Sequence, residues 1–197
     1  MYYSQNAEER AILAACPEST GRFLDIGAWN AICMSNTRAL FERGWGGVLV
    51  EPSPLPFAKI QAEYADVPDR ITVINAAVGI EDVESVEMWI TEDAVSTSDE
   101  TAHHRWRNTA KYESERMTVS VITLERLFAE HGEFDFINID TEGSSVDLCL
   151  RLLTLGYRPR CICVEHDERV VEVLGVANAA GYVCSYATGE NLVLVKQ

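Results

Sequence analysis

The chain has 197 residues, 47% of them hydrophobic and 24% charged, which supports one packed domain over residues 1–197 and argues against disorder. Its formal net charge of −15 repels phosphate backbones and anionic headgroups, so no nucleic acid and no membrane surface is expected as a partner. The six cysteines form no Cys-x-x-Cys pair and have no matching histidine spacing, so no zinc site is expected.

The opening stretch, Met1 to Glu9, has neither the basic region nor the apolar core of a leader, and no apolar run reaches membrane-spanning length. Reduced thiols and a cytoplasmic setting are the expectation. Asn6 with Glu9 has the spacing of a capping box that would open a helix through Ala15 within an N-terminal segment 1–20, ended by Pro17. The first strand is expected at Arg22–Ile26, followed by a loop at Gly27-Ala28-Trp29-Asn30 and a helix from Cys33 to Arg43 stopped by Gly44.

Gly47–Glu51 reads as the second strand, and Pro52, Pro54 and Pro56 mark a loop and the next helix start. Ile71–Asn75 is the third strand, Gly79 to Glu84 a turn, and Val86–Ile90 a fourth strand whose alternation suggests half exposure. Residues 91–115 are polar and without clear period, which predicts a mobile loop or a short helix over a loop; unstructured stretches of this length are usually functional or disordered. Regular pattern returns with a strand at Met117–Val121, a helix from about Leu124 to His131, a strand at Phe134–Ile139 and a helix from Ser145 to Leu155. A strand at Cys161–Val164, a helix from Arg169 to Ala180 and an antiparallel hairpin of Tyr182–Tyr186 with Leu192–Val195 complete the chain. Cys161 and Cys163 face one side of their strand as small core residues. Strands alternating with helices are the signature of βαβ units around a parallel sheet.

In open α/β sheets, ligands bind beyond the carboxyl ends of the strands, so residues just after strands are the ones to read. Gly27 lets the backbone turn tightly after Asp25-Ile26, so that following amides, with Ala28 and Asn30 in the loop, can face a ligand. A dinucleotide site would want a second glycine two positions on, where this chain has Trp29. A cofactor without phosphates, such as S-adenosylmethionine, does not need that approach, and Asp25 could accept bonds from the loop or from the cofactor's ammonium group. Glu51 ends the second strand ahead of Pro52-Ser53, where a carboxylate can accept two ribose hydroxyls. Asn75 and Ala76 would lie near the adenine. The stretch Phe134 to Gly143 releases two carboxylates, Asp140 and Glu142, at the end of a strand expected to be wholly buried, and Glu165-His166-Asp167 closes the next strand on the same rim.

These pieces together resemble the FkbM family of S-adenosylmethionine-dependent methyltransferases. The resemblance runs from about Phe23 to the C-terminus and rests on Phe23-Leu24-Asp25-Ile26-Gly27-Ala28, Val50-Glu51-Pro52-Ser53-Pro54, Asn75-Ala76-Ala77-Val78-Gly79, Thr123-Leu124 and Ile139-Asp140-Thr141-Glu142-Gly143, in that order. It implies a Rossmann-like class I methyltransferase fold, α/β, with a mostly parallel seven-stranded sheet, a C-terminal antiparallel hairpin and helices on both faces. It also implies methylation of a sugar or related hydroxyl on a small-molecule acceptor. The chain departs from the family's first loop at Trp29 and Ala31, and Asn138 stands where the family often has a lysine.

On this reading Asp140 is the expected base or acceptor-orienting group, Glu142 supports it, and His104 or His103 is carried over the site by the 91–115 segment. Trp106, with His103 and Tyr112, would stack on a sugar face. Asp140, Glu142 and His166 could also bind a divalent metal, but no metal ligand set is assigned. The alternatives are a domain that binds the cofactor without turnover, or a methyltransferase acting on a protein or another acceptor.

Overall fold

The computed structural model describes residues 2–110 and 113–197. Five strands with apolar runs, β1 (Arg22–Ile26), β2 (Gly46–Val50), β3 (Ile71–Ile74), β7 (Phe136–Ile139) and β8 (Cys161–Glu165), pair in parallel. The hairpin β9 (Tyr182–Ala187) and β10 (Asn191–Lys196) joins them antiparallel, through β10 on β8, to give the order β3-β2-β1-β7-β8-β10-β9. The order reverses between β1 and β7, which is where such sheets open a crevice.

The central strands are mostly apolar because both sheet faces are covered, with Asp25 and Asn138 as buried polar exceptions. On one face Leu24, Ile26, Val48, Ile137, Ile139 and Ile162 pack against Leu127, Leu148, Leu152 and Val173. Those four come from α5 (Leu124–His131), α6 (Ser145–Thr154) and α7 (Val170–Ala179). On the other face Phe23, Leu49, Phe136, Cys161 and Cys163 pack against Ile12, Leu40 and Ile60, which lie on α1 (Glu9–Ala15), α2 (Arg38–Glu42) and α3 (Pro54–Glu63). Both strand cysteines are therefore core residues, as their alternation predicts. Each large apolar side chain buried this way stabilises the fold by about 1.5–3 kcal/mol before entropy is counted.

Two helices differ from the sequence expectation. The first begins at Glu9, because the reciprocal bonds run between Ser4 and Glu9, with Glu9 N–H on Ser4 Oγ and Ser4 N–H on Glu9 Oε2. Asn6 instead donates to Glu190. The second contracts from Cys33–Arg43 to Arg38–Glu42. Asn30 Oδ1 accepts the Ile32 and Cys33 amides, and Ser35 Oγ accepts those of Thr37 and Arg38, so side chains take the donors a helix would use.

The strands read at Val86–Ile90 and Met117–Val121 are present but lie outside the main sheet. They lengthen into β5 (Ser85–Ile90) and β6 (Glu115–Thr123), which pair antiparallel, and β6 also pairs in parallel with a short β4 (Ala77–Gly79). Between β5 and β6, a bridge joins Trp89 to Thr97 and a helix α4 spans Glu100–Ala110, so the polar stretch is a strap followed by a helix. Among the described residues no helix is long and apolar enough to cross a membrane.

Candidate active site

At the β1 exit the Gly27 and Ala28 amides both donate to the Val50 carbonyl, at 3.0 and 3.2 Å, which folds the loop back over β2. Gly27 has φ +80°, and a Cβ there would meet the Asp140 carbonyl oxygen at 1.7 Å, so only glycine lets the β1 loop and the β7 end touch. Asp140 N–H in turn donates to the Ile26 carbonyl at 2.9 Å.

Asp25, 2% exposed, does not face the loop amides. Its carboxylate accepts from Thr37 Oγ1 at 2.6 Å and from Asn138 Nδ2 at 2.8 Å, and Asn138 Oδ1 accepts from Asn36 Nδ2 at 2.9 Å. Asn138, at the position where a lysine would bring charge, thus supplies a neutral donor. Burial accordingly pushes the Asp25 carboxyl above its ordinary range, against the pull of the two hydrogen bonds.

Glu51, 4% exposed, directly follows β2 with both oxygens aimed at backbone amides. Oε1 accepts the Ser53 N–H at 2.7 Å and Oε2 accepts the Trp29 N–H at 2.9 Å. Each oxygen keeps a further lone pair. Burial still raises its pKa, opposed by those amide bonds. Trp29 holds this contact at φ +40°, a left-handed conformation rare for a bulky residue. Asn75 is exposed and donates from Nδ2 to the carbonyls of Glu51 and Pro52, which makes it a brace for that turn.

Beside Glu51 lies a compartment of about 50 Å³, lined by Ile26, Gly27, Pro52, Ser53, Ala76 and Val78 and covered by Met88, Ala94 and Ser96. The cover is fastened by Ser53 Oγ donating to Ser96 Oγ at 2.9 Å and by Trp29 Nε1 reaching the Glu92 carbonyl at 3.4 Å. Next to it, over the ends of β7 and β8, opens a larger cavity of about 540 Å³; Gly27, Trp29, Asp140 and Glu142 line both.

The larger cavity is dominated by carboxylates. One oxygen from each of Asp140, Glu142 and Glu165 lies within 4.8 Å of the others. Glu142 Oε2 accepts Trp106 Nε1 at 2.6 Å and stands 3.7 Å from Arg105 Nη2, while Glu165 Oε2 accepts Ser145 Oγ at 2.9 Å and the Glu142 amide at 3.2 Å. Burial first, and then repulsion from neighbouring carboxylates, pushes all three carboxyls up: Asp140 well above the carboxylate range and Glu142 to about 8, both beside Glu165, and Glu165 to about 7 beside Asp167. Glu142, Asp167 and Glu168 also adopt positive φ (52°, 45° and 60°), so the rim carries local backbone strain of the kind that collects at functional sites.

Of the residues expected at the site, Gly27, Glu51, Pro52, Ser53, Ala76, Asp140 and Glu142 line the compartment beside β2, and Asp25 and Ala28 line the larger cavity. Asn30 and Asn75 line neither and act on the backbone. His104 is displaced from the site: its side chain is 61% exposed and lies 3.7 Å from Glu100 on the outer side of α4. His103 stacks on Trp89 with ring centroids 4.5 Å apart. The neighbouring Arg105 and Trp106 are the residues of α4 that reach the acids. Tyr112 lies outside the described residues. Asn36, Thr37 and Ser96, none singled out by the sequence, complete the walls and fastenings.

Methyltransferases are among the solved structures similar to this chain. The methyltransferase FkbM from Methylobacillus flagellatus KT aligns over 90% of this chain and 44% of its own, with 14% identity and a TM-score of 0.53. Precorrin-6y C5,15-methyltransferase from Geobacter metallireducens GS-15 aligns over 96% and 86%, with 10% identity and a TM-score of 0.54. The human methyltransferase 10 domain containing protein aligns over 96% and 80%, with 12% identity and a TM-score of 0.51. At these identities the likeness concerns the fold, a Rossmann-like class I methyltransferase fold. The family model for the methyltransferase FkbM domain matches residues 25–182, and the chain belongs to that family. It spans less than half the length of the M. flagellatus FkbM structure. No curated protein sequence matches it.

Proposed function

We propose that the chain binds S-adenosylmethionine along the ends of β1, β2 and β7 and transfers its methyl group to a hydroxyl of a small acceptor such as a sugar. The observation that carries this reading is the placement of a buried carboxylate, Glu51, and a cluster of raised carboxyls headed by Asp140 on either side of the Gly27 turn.

The donor set suits the cofactor. Glu51 would accept the ribose hydroxyls on the lone pairs its two amide bonds leave free, Ala76 and Val78 offer a small apolar wall for a flat ring, and Asp140 and the Gly27 backbone would take the amino-acid end. The compartment beside Glu51 falls well below the roughly 300 Å³ at which ligand pockets begin, so the strap carrying Ala94 and Ser96 must lift to admit a nucleoside. When bound, S-adenosylmethionine supplies a methyl group on a positively charged sulfur, open to displacement by oxygen. The chain's own work is to hold an acceptor hydroxyl in line and to take its proton as the oxygen–carbon bond forms. We assign that proton to Asp140, because the residue lines both compartments beside the Gly27 turn and burial, with the neighbouring acids, raises its carboxyl and so strengthens it as a base. Glu142 and Glu165 hold it there by repulsion, and Trp106 and Arg105 restrain Glu142.

Calorimetric titration with S-adenosylmethionine tests the placement. Glu51→Gln should weaken binding at least about tenfold, the range of a lost charge-assisted bond pair. Unchanged affinity in that variant would refute the site. Asp140→Asn, which removes a proposed partner of the cofactor's ammonium as well as the base, should weaken the cofactor up to about tenfold and lose transfer even at saturating cofactor.

A further inference from the structure

We propose that Trp29 holds the cofactor's positive sulfur against its indole ring and so strengthens binding of the charged methyl donor relative to its neutral product; this rests on the methyltransferase reading above. Trp29 lines the compartment beside Glu51 and the larger cavity alike, and among the described residues it is the aromatic side chain common to the two. On that reading the nucleoside lies beside Glu51 and the acceptor hydroxyl beside Asp140. The carbon that changes hands passes between the two spaces, so the sulfur that carries it belongs at their junction, where Gly27, Trp29, Asp140 and Glu142 line both.

Trp29 is fastened at both ends. Its amide donates to Glu51 Oε2 at 2.9 Å, and its Nε1 reaches the Glu92 carbonyl of the strap at 3.4 Å. The residue thereby spans the gap from the end of β2 to the cover. Its backbone stands at φ +40°, where glycine would sit without strain and an indole-bearing residue does not. Strain of this kind persists where the surrounding contacts over-determine it, and it collects at functional sites.

The ring is also the one left without a π partner. Of the four tryptophans, Trp45 is 1% exposed and packed in the core, Trp89 stacks on His103 and carries the Arg116 guanidinium, and Trp106 carries that of Arg105. Trp29 has neither an aromatic neighbour in ring contact nor a cation over its ring among the described residues.

Indole attracts a cation more strongly than the other aromatic rings, and more so where water is excluded. Met88, Ala94 and Ser96 cover the compartment at this point. A sulfonium spreads its charge over the attached carbons and is weakly hydrated, so it gives up little water to meet a ring. When the acceptor oxygen bonds to the methyl carbon, the electron pair of the broken sulfur–carbon bond stays on sulfur. The product is a neutral thioether, and the charge-dependent hold of Trp29 ends with the transfer.

The test is calorimetry of the full chain with three ligands: S-adenosylmethionine, S-adenosylhomocysteine, and sinefungin, in which a carbon bearing a protonated amine replaces the sulfonium. Trp29→Leu should lower the affinity for each charged ligand relative to S-adenosylhomocysteine about fivefold, and Trp29→Phe about twofold. A loss equal for all three ligands overturns the proposal and leaves Trp29 a plain apolar wall. A relative loss confined to S-adenosylmethionine overturns it too, since that would trace the effect to the methyl group's bulk rather than to charge. Should Trp29→Leu not fold, the phenylalanine variant decides on the same ratios. Failure of the parent to bind any of the three would instead sink the methyltransferase reading, whereas binding with ratios untouched by either substitution would sink only the role of Trp29.

Discussion

Gly27 sits against the Asp140 carbonyl so closely that a methyl group on its α-carbon would stand 1.7 Å from that oxygen. The contact ties the turn after β1 to the residue proposed as base. Gly27→Ala must part the two strand ends or abandon φ +80°, and either should cost at least about 2 kcal/mol, or roughly 4–8 °C in Tm for a chain of this size. Cofactor affinity should fall with it. A variant that melts and binds like the parent would show that the turn is not under this constraint.

The raised carboxyls predict how stability depends on pH. Glu142 at about 8 and Glu165 at about 7 both lie above the 4.5 of a free glutamate, so the folded state favours their protonated forms. Their contribution is complete below about pH 4.5 and is lost as pH rises through about 7 to 8. Asp167 and Arg105 act on both groups, Trp106 on Glu142 and Ser145 on Glu165, and together they tune these midpoints. The ligand-free protein should therefore melt lower at pH 8.5 than at pH 6. Glu142→Gln should recover about 1 kcal/mol, roughly 2–4 °C, at the higher pH and nothing at pH 5. A gain independent of pH would contradict the assignment.

Trp106 restrains the same carboxylate from α4. Its indole N–H favours the ionised form of Glu142, so Trp106→Phe, which keeps a ring and loses the donor, should move the alkaline stability midpoint upward. In turnover assays it should raise the acceptor KM more than it lowers kcat, leaving cofactor Kd within twofold. A midpoint that moves down would rule out the bond.

The strap over Glu51 is held chiefly at Ser96, whose hydroxyl accepts from Ser53 Oγ and from the Thr91 amide, each at 2.9 Å. Ser96→Ala should speed both association and dissociation of S-adenosylmethionine, read by stopped-flow quenching of tryptophan fluorescence, with Trp29 beside the compartment as reporter. Unaltered rates would mean that the strap does not gate the compartment.

Much of this architecture was legible because the central strands are buried on both faces and so show as mostly apolar runs, broken at Asp25 and Asn138. Glu51 and Asp140 could be picked out for a related reason: a carboxylate directly after such a run has little structural use, and Asp25 stands out as a charge inside one. The segment from Cys33 to Thr37 is not helix, although the sequence places no Gly or Pro before Gly44 to stop one, because Asn30 and Ser35 capture its amides. In α4 the sequence offers no apolar stripe to say which face turns inward. The structure turns Ala102 and Trp106, four residues apart, toward the protein and leaves His104 outside. Strand character was equally readable at β5 and β6, but the sheet they join was not, since period-two alternation does not encode a partner.

The short parallel pairing of β4 with β6, Ala77 opposite Val121 and Gly79 opposite Thr123, gives the cover a property of its own. Everything between those strands, including the strap and α4, leaves and rejoins the body at neighbouring points, as a handle does. Such a piece could be exchanged between relatives as one cassette, changing which molecules are admitted while the edge formed by Gly27, Glu51 and Asp140 stays as it is.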